Sequence, residues 1–245
     1  MEWLNELGGV VMFFARTVRQ GLQPPLRLRL LFLQLEFVGV GSLFIILLTG
    51  VFTGAVFTLQ SVSAFAKFSA QSLVGATVTL ALTRELAPVL TALMVTGRVS
   101  SAMATELGTM RVTEQIDAME VMAVDPVSYL AVPRVIAGAV MVPALTMIFN
   151  LVGVTGSFIV GVLYSGIDEG AFLSRIQRWL EPEDIFQGLI KGLVFGIVIT
   201  TIGCFKGFNA SGGARGVGQA TTQAVVSGSI SIFILNYFMT AMMLH

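Results

Sequence analysis

The sequence predicts an all-α protein that crosses a membrane several times. Of its 245 residues, 55% are hydrophobic and only 11% are charged, whereas about 25% of the residues of a typical soluble domain are charged. Uncharged runs cover residues 37–66, 135–167 and 216–245, and each exceeds the roughly 20 apolar residues that cross a hydrocarbon core. Because a backbone inside lipid must satisfy its own hydrogen bonds, these runs are predicted to be helices.

The first segment, residues 1–22, is predicted to lie flat in the headgroup region. Its apolar side chains share one helical face and its arginines lie elsewhere, which is typical of an interfacial helix. That face consists of Leu4, Leu7, Val11, Phe14 and Val18. Gln23-Pro24-Pro25 is expected to interrupt the helix, because proline lacks an N–H and restrains the preceding residue. Glu2 and the lack of a basic leading region argue against a cleaved signal peptide.

Five membrane-spanning helices are predicted after a basic piece that runs from Leu26 to Glu36. They are expected at 38–62, 86–105, 135–163, 185–205 and 220–243. The fourth reaches spanning length if Lys191 extends its ammonium group toward one interface. We expect a single domain over 1–245, in which 1–36 form an interfacial and elbow region and 37–245 form the transmembrane region.

Orientation follows from the distribution of lysine and arginine. With the N-terminus inside, nine of the 14 basic residues fall on cytoplasmic segments, which favours a cytoplasmic N-terminus. The loop 166–184 then faces outward as a short amphipathic helix.

Charges inside the second apolar region are the first candidates for function. Arg84 and Arg98 lie 14 positions apart, which places them within about 40° of each other on a straight helix and roughly 21 Å apart along it. Both arginines could simply reach opposite interfaces. Glu85 has too short a side chain to do so, and charge inside a bilayer usually lines a pathway or meets a partner. An ion-paired or lipid-headgroup role for Arg84 and Glu85 is the hypothesis.

An acidic amphipathic segment follows the second span. Val112, Ile116, Met119 and Ala123 have helical spacing, and the acidic residues lie mostly off that row. The acidic residues are Glu114, Asp117 and Glu120, and Asp125-Pro126 ends the segment. Helices that rest on a membrane usually carry lysine and arginine toward anionic headgroups. A groove in a protein partner is therefore favoured over the membrane surface.

Several classes of function are disfavoured. Net charge is zero and no basic run occurs, so nothing indicates nucleic acid. One cysteine, Cys204, and one histidine, His245, allow neither a metal cluster nor a Ser-His arrangement. The glycine-rich stretch 206–223 lacks the GK[ST] ending of a phosphate-binding loop and is predicted to be a turn.

Three blocks of the sequence resemble the MlaE/YrbE family, the permease subunits of MCE-type ABC lipid transporters. They are RELAPVLTALMVTGRVSSAMATELGTMRVTEQIDAMEVMAVDPVSYLAVPR, then RVIAGAVMVPAL, then GARGVGQATTQAVVSGSI at 213–230. Together they cover most of 83–235, whereas the first 80 residues match in layout only.

The resemblance implies the partners and the cargo. The permease would form a homodimer in a bacterial inner membrane, with an ABC ATPase dimer on the cytoplasmic side and a hexamer of MCE-domain proteins on the periplasmic side. A small STAS-type accessory subunit can belong to such complexes. ATP and magnesium would be held by the ATPase, and this chain would hold no cofactor and catalyse no reaction. Phospholipid would occupy a cavity at the dimer interface, and its movement maintains the lipid asymmetry of the outer membrane.

The resemblance also implies roles for residues. Residues 113–126 would be the coupling helix that enters the ATPase, with Glu114, Asp117, Met119, Glu120 and Asp125 at the contact. The lipid cavity would involve Arg84, Glu85, Val89, Arg98 and Asn236. Asn236 is a departure, because family members often carry an aspartate there. From the residues themselves, we expect the fifth span at or near the dimer seam, because it carries no charge and has Ser227, Gly228 and Ser231 clustered toward its inner half.

Two other classes stay open. An ion-coupled secondary transporter or channel predicts ionisable groups in mid-membrane and often an internal repeat, and no repeat is visible. A membrane scaffold would leave Arg84, Glu85 and Arg98 unexplained.

Overall fold

The computed structural model describes residues 2–22 and 27–243, with side chains from residue 7 onward. Within that part the chain consists of helices and turns and contains no strand, which confirms the all-α prediction. The expected break at 23–25 and the side chains of Leu4 and His245 lie outside the described residues.

The interfacial helix extends over Glu2–Gly21. Phe13 packs against Phe205 and Phe208 at the end of the fourth span, with ring centroids 5.9 Å and 5.5 Å apart. Leu7 and Val11, which belong to the predicted apolar face, are 57% and 65% exposed. An exposed apolar face on a helix that is fastened along another side suits a position in the headgroup region.

Five helical segments are long and apolar enough to cross a membrane, which confirms the predicted number. Within the described residues they are Leu28–Ala66, Gln71–Val112, Val127–Tyr164, Pro182–Phe208 and Gly213–Met243. We call them the first to fifth spans. The first is composed of Leu28–Val38 and Leu43–Ala66, joined by a short turn at Val40–Ser42.

All five spans begin earlier than the sequence predicted, and in the second and third the reason is that charged residues do not mark their ends. The second begins at Gln71 rather than 86, and Arg84 and Glu85 lie inside it. The third begins at Val127 rather than 135, and Arg134 is buried within it. These charges meet partners on neighbouring helices, so the helices continue through them.

Four π-helical turns interrupt the second and third spans. They cover Leu82–Leu86, Thr96–Ser100, Val127–Ala131 and Ile159–Tyr164. The first turn has a clear cause in the sequence: Pro88 has no N–H for the carbonyl of Arg84, four residues earlier. Single π-helical turns inside α-helices are frequent at functional sites.

Close packing of glycines brings the first, third and fourth spans together. A Cβ added to Gly54 would collide with the carbonyl of Gly153, and one added to Gly138 would lie 2.7 Å from the carbonyl oxygen of Gly196. Small residues let helix backbones approach closely in lipid. The fifth span packs on the second and fourth and is the least covered: 11% of its most apolar stretch is buried, against 61% for the fourth.

Two short helices lie between spans. The loop helix, Gln115–Val121, connects the second span to the third. The connecting helix, Glu169–Trp179, lies on the opposite side between the third and fourth, as predicted for 166–184. Phe172 of the connecting helix is fully buried, and its ring lies against Gly75 and Gly161.

Candidate functional site

Glu85 is the centre of a polar cluster that joins three spans. Its Oε1 accepts from Lys191 Nζ at 2.7 Å and from Thr240 Oγ1 at 3.0 Å. Its Oε2 accepts from Asn236 Nδ2 at 2.9 Å. We call Glu85, Lys191, Asn236 and Thr240 the Glu85 cluster. It holds the second, fourth and fifth spans together by charge and hydrogen bonds in a region where lipid offers neither.

Lys191 is the buried cation of this cluster. Its side chain is 2% exposed, so it does not reach an interface as the sequence suggested. Besides Glu85, its ammonium donates to Thr240 Oγ1 at 2.8 Å and to the carbonyl oxygen of Arg84 at 2.9 Å. That carbonyl is the one that Pro88 leaves without an N–H donor. The ammonium of Lys191 therefore supplies the hydrogen bond that this carbonyl lacks in the π-helical turn, and the carbonyl gives the buried ammonium an acceptor.

Arg84 and Glu85 have separate partners. Arg84 Nη2 lies 2.5 Å from Asp184 Oδ1, and the carboxylate of Asp184 is 2% exposed. Asp184 Oδ2 also accepts the backbone N–H of Glu181 at 2.9 Å, which caps the fourth span. Arg84 thus fastens the second span to the beginning of the fourth.

Asn236 brings an amide to the cluster, and Val89 packs nearby. The Nδ2 of Asn236 is used by Glu85, while its buried Oδ1 meets no donor among the described residues. Val89 is partly buried against the core, one turn beyond Glu85 on the second span. With Glu85 and Lys191 of opposite sign, the uncharged Asn236 leaves the cluster balanced in charge.

Arg98 lies apart from the cluster. Its Nη1 donates to the carbonyl oxygen of Phe37 at 2.9 Å and to Ser42 Oγ at 3.0 Å, and its guanidinium lies 5.0 Å from the ring centre of Phe37. Arg84 contacts the fourth span, whereas Arg98 contacts the first, so the two do not share a face as a straight helix predicts. Both lie in π-helical turns, which break the count of 100° per residue.

An open groove runs along the first span. One part, of about 480 Å³, is lined by Thr49, Phe52, Thr53, Val56, Phe57, Gln60 and Leu86. A second part, of about 420 Å³, also includes Gln60 and continues to Lys67. Leu86 brings the second span to this groove, whereas Glu85, the preceding residue, contacts the fourth and fifth spans. Its wall is mostly apolar, with hydroxyl and amide groups along it.

The loop helix presents acidic and apolar side chains to the surroundings. Glu114 begins it in a left-handed conformation with φ of 60°. Ile116 is 2% exposed and Met119 packs against the core, so this side anchors the helix. Glu114 and Glu120 are exposed. Val121 and Met122, which the sequence analysis did not single out, are 89% and 67% exposed.

Asp117 and Asp125 pair with other side chains of this chain. Asp117 forms an ion pair with Arg111 at the end of the second span. Asp125 accepts from Gln20 and lies 3.5 Å from Arg16, both on the interfacial helix. Asp125 Oδ1 also accepts the N–H of Val127 at 2.9 Å. The interfacial helix is therefore fastened to the loop that carries the loop helix.

Sequence reasoning missed several charged residues that the structure brings into contacts. They are Lys191, Asp184, Glu106 and Arg134. The available signal was the same as for Glu85: each is a charge within or next to an apolar run. No pattern in one sequence, however, tells which charge on one helix meets which on another. In the described part of the chain, His, Cys, Asp and Glu side chains form no group of three that could hold a metal ion.

A family model and several known proteins are similar to nearly the whole of this chain. The model of the family described as Permease MlaE matches residues 31–242. A probable ABC transporter permease protein of Rickettsia felis is 44% identical, over 98% of this chain and 93% of its own length. The intermembrane phospholipid transport system permease protein MlaE of Haemophilus influenzae is 41% identical, over 99% and 98%. The chloroplastic protein trigalactosyldiacylglycerol 1 of Arabidopsis thaliana is 41% identical, over 85% and 59%.

Proposed function

The chain belongs to the MlaE permease family, and we propose that it is the membrane-spanning subunit of an ABC transporter that moves phospholipid between the inner membrane and a periplasmic MCE-domain partner. The observation that carries the proposal within this chain is the groove along the first span, which Leu86 of the second span also borders. A phospholipid needs an apolar surface for its acyl chains and polar groups for its phosphate. The groove from Thr49 to Lys67 supplies both, and the Glu85 cluster fixes the second span against the fourth and fifth.

The transport unit in this proposal contains two copies of the chain and two ATPase subunits. The loop-helix side faces the cytoplasm, as the distribution of basic residues favours. ATP and magnesium belong to the ATPase, and this chain performs no hydrolysis. Closure of the ATPase pair would move the two loop helices together, narrow the groove between the first span and Leu86 of the second, and expel the lipid. An accessory STAS-type subunit would bind the ATPase.

The surface of the loop helix supports docking to a protein. Glu114 and Glu120 would be repelled by an anionic cytoplasmic leaflet. The exposed apolar pair Val121 and Met122 needs an apolar surface to cover it. A groove with basic rims and an apolar floor satisfies both requirements.

The first test is a charge reversal on this surface. We expect Glu120→Lys to weaken ATPase binding strongly while the permease still inserts, because like charge at a contact costs several kcal/mol. Co-purification of the ATPase from detergent measures it. Glu169→Lys, on the connecting helix of the opposite side, is the matched control and should bind the ATPase normally. Equal ATPase recovery with both variants would remove the loop helix from the interface.

One observation favours a second candidate, an ion-coupled transporter. Lys191 and Glu85 form a buried ion pair inside the membrane, which is what such proteins use. Vesicles separate the two mechanisms. The ABC mechanism requires ATP and the ATPase for lipid movement and is insensitive to ionophores, whereas ion coupling fails when the gradient is collapsed.

A further inference from the structure

Glu106 and Arg134 form an ion pair between the two spans that flank the loop with the loop helix. Glu106 lies near the end of the second span, Arg134 lies near the beginning of the third, and residues 107–133 lie between them. Arg134 Nη2 is 2.8 Å from Glu106 Oε2, and the two side chains are 4% and 56% exposed. Arg134 Nη1 also donates to the carbonyl oxygen of Leu130 at 2.7 Å.

We propose that Glu106 and Arg134 are positioning residues for energy coupling: their ion pair clasps the loop, so that a displacement of the loop helix moves the second and third spans together. The inference rests on the proposed function, since it concerns how movement of an ATPase reaches the membrane helices. Neither residue touches the groove or the loop-helix surface. Their effect would act through the position of the helices alone.

Contacts inside the loop already hold the loop helix in place. A displacement of the loop helix can therefore fail to reach the membrane helices only where the loop joins the second and third spans. Asp117 is paired with Arg111, Ile116 is buried at 2% exposure, and Asp125 accepts the N–H of Val127. A force on the loop helix is therefore passed to the two places where the loop enters the membrane. If the spans could separate there, the force would spread them apart instead of moving them. The Glu106–Arg134 ion pair joins the second and third spans next to these places.

Stability alone does not account for this pair. Arg134 is buried with one carboxylate partner, and its Nε meets no acceptor among the described residues. Only the arginine of this pair is buried, since Glu106 is 56% exposed, and removing a buried charge together with its partner is often neutral or stabilising. A buried guanidinium whose Nε has no acceptor is better explained by the two spans that it connects.

The experiment uses the complete complex of permease and ATPase in phospholipid vesicles, with the double variant Glu106→Gln/Arg134→Met. Removing both charges avoids a buried charge without a partner. We expect an unchanged or higher melting temperature and normal ATPase binding. We expect the amount of lipid moved per ATP hydrolysed to fall at least about fivefold, the lower end of typical coupling between sites. Arg134→Lys, which keeps the charge and loses one of the two contacts, should give an intermediate ratio.

Thr105→Ala is the matched control. Thr105 precedes Glu106 and bonds to Thr221 of the fifth span, so this change removes a neighbouring contact that does not bridge the loop. It should leave the ratio of lipid to ATP unchanged. An unchanged ratio in the double variant would overturn the proposal. So would parallel loss of assembly, ATPase activity and transport in the double variant and in Arg134→Lys, because the pair would then be structural. Failure of the wild-type complex to move lipid would instead refute the proposed function.

Discussion

At the scale of single residues, the Glu85–Lys191 pair shows how a membrane protein retains a buried cation. Lys191 has three acceptors within 2.9 Å: a carboxylate, a hydroxyl and a backbone carbonyl. An ammonium group has three N–H donors, so all of them are used. The arrangement depends on Pro88, because an ordinary residue there would donate its own N–H to the carbonyl of Arg84.

This balance predicts different outcomes for one and two substitutions. Glu85→Ala leaves the buried ammonium of Lys191 without its counter-charge, and we expect a loss of about 3–5 kcal/mol in the free energy of unfolding. The double variant Glu85→Gln/Lys191→Met removes both charges and should be close to wild type in stability. Thermal unfolding in detergent, followed by circular dichroism, measures both. Equal melting temperatures for Glu85→Ala and the wild type would mean that Lys191 does not depend on Glu85.

Residue roles were only partly predictable from the sequence. Glu85 was identified because a carboxylate in an apolar run demands a partner, but Arg84, its neighbour, is not that partner. Lys191 was assigned to an interface because single-sequence rules allow a lysine to extend there. Only the three-dimensional approach of the second and fourth spans decides between extension and pairing, and that approach depends on distant contacts such as Gly188 against the carbonyl of Thr83.

At the scale of the helices, glycine contacts determine how closely the spans approach. Gly54 of the first span and Gly153 of the third meet backbone to backbone, whereas Gly97 of the second span has no neighbouring atom within 4 Å of an added Cβ. The same substitution should therefore change the free energy of unfolding by a different amount, or in a different direction, at the two kinds of position.

We expect Gly54→Ala to lower the free energy of unfolding by about 1–3 kcal/mol, since its methyl group forces the first and third spans apart. Gly97→Ala should be neutral or slightly stabilising, because alanine favours the helix and meets nothing. Both are measured by thermal unfolding in detergent. A Gly54→Ala variant as stable as Gly97→Ala would show that the spans separate easily.

The number and order of the helices were predictable, and their ends were less so. Apolar runs of sufficient length reveal spans whatever their partners, since the bilayer imposes that length. Charge does not mark the beginning of the second and third spans, because Arg84 and Arg134 lie inside them and pair with neighbouring helices. A short amphipathic helix such as Glu169–Trp179 was found from its pattern alone.

At the scale of the whole molecule, the fifth span has the least buried apolar stretch of the five spans. Ile230, Phe233 and Tyr237 are 41%, 57% and 70% exposed. The sequence suggested that Gly228 lies at the seam with a second copy. In the structure Gly228 is buried against Thr96 of the same chain, so a bulky residue there would separate the second and fifth spans. The exposed face is the better candidate for the seam.

Cysteines along this span test the two-copy arrangement. In a Cys204→Ser background we expect Ile230→Cys or Tyr237→Cys to form crosslinks between copies in membranes, because a two-fold interface brings the same patch of both together. Ile232→Cys, at a fully buried position, is the control and should remain unlinked. If neither exposed position crosslinks within the complex, the fifth span faces lipid.

The π-helical turns of the second span have a consequence for how such genes can change. A hydrogen bond from residue i to i+5 encloses one residue more than the usual α-helical bond, so each turn is equivalent to a one-residue insertion. Deleting one residue within 82–86 would therefore restore a regular helix and leave the residues beyond it in nearly the same direction. The same deletion inside the regular stretch Ala87–Val95 would rotate everything beyond it by about 100°. Arg98 would then leave Phe37 and Ser42, and Glu106 would leave Arg134. Viable descendants of this sequence should therefore lose single residues at the π-helical turns and keep the same length in the regular stretches between them.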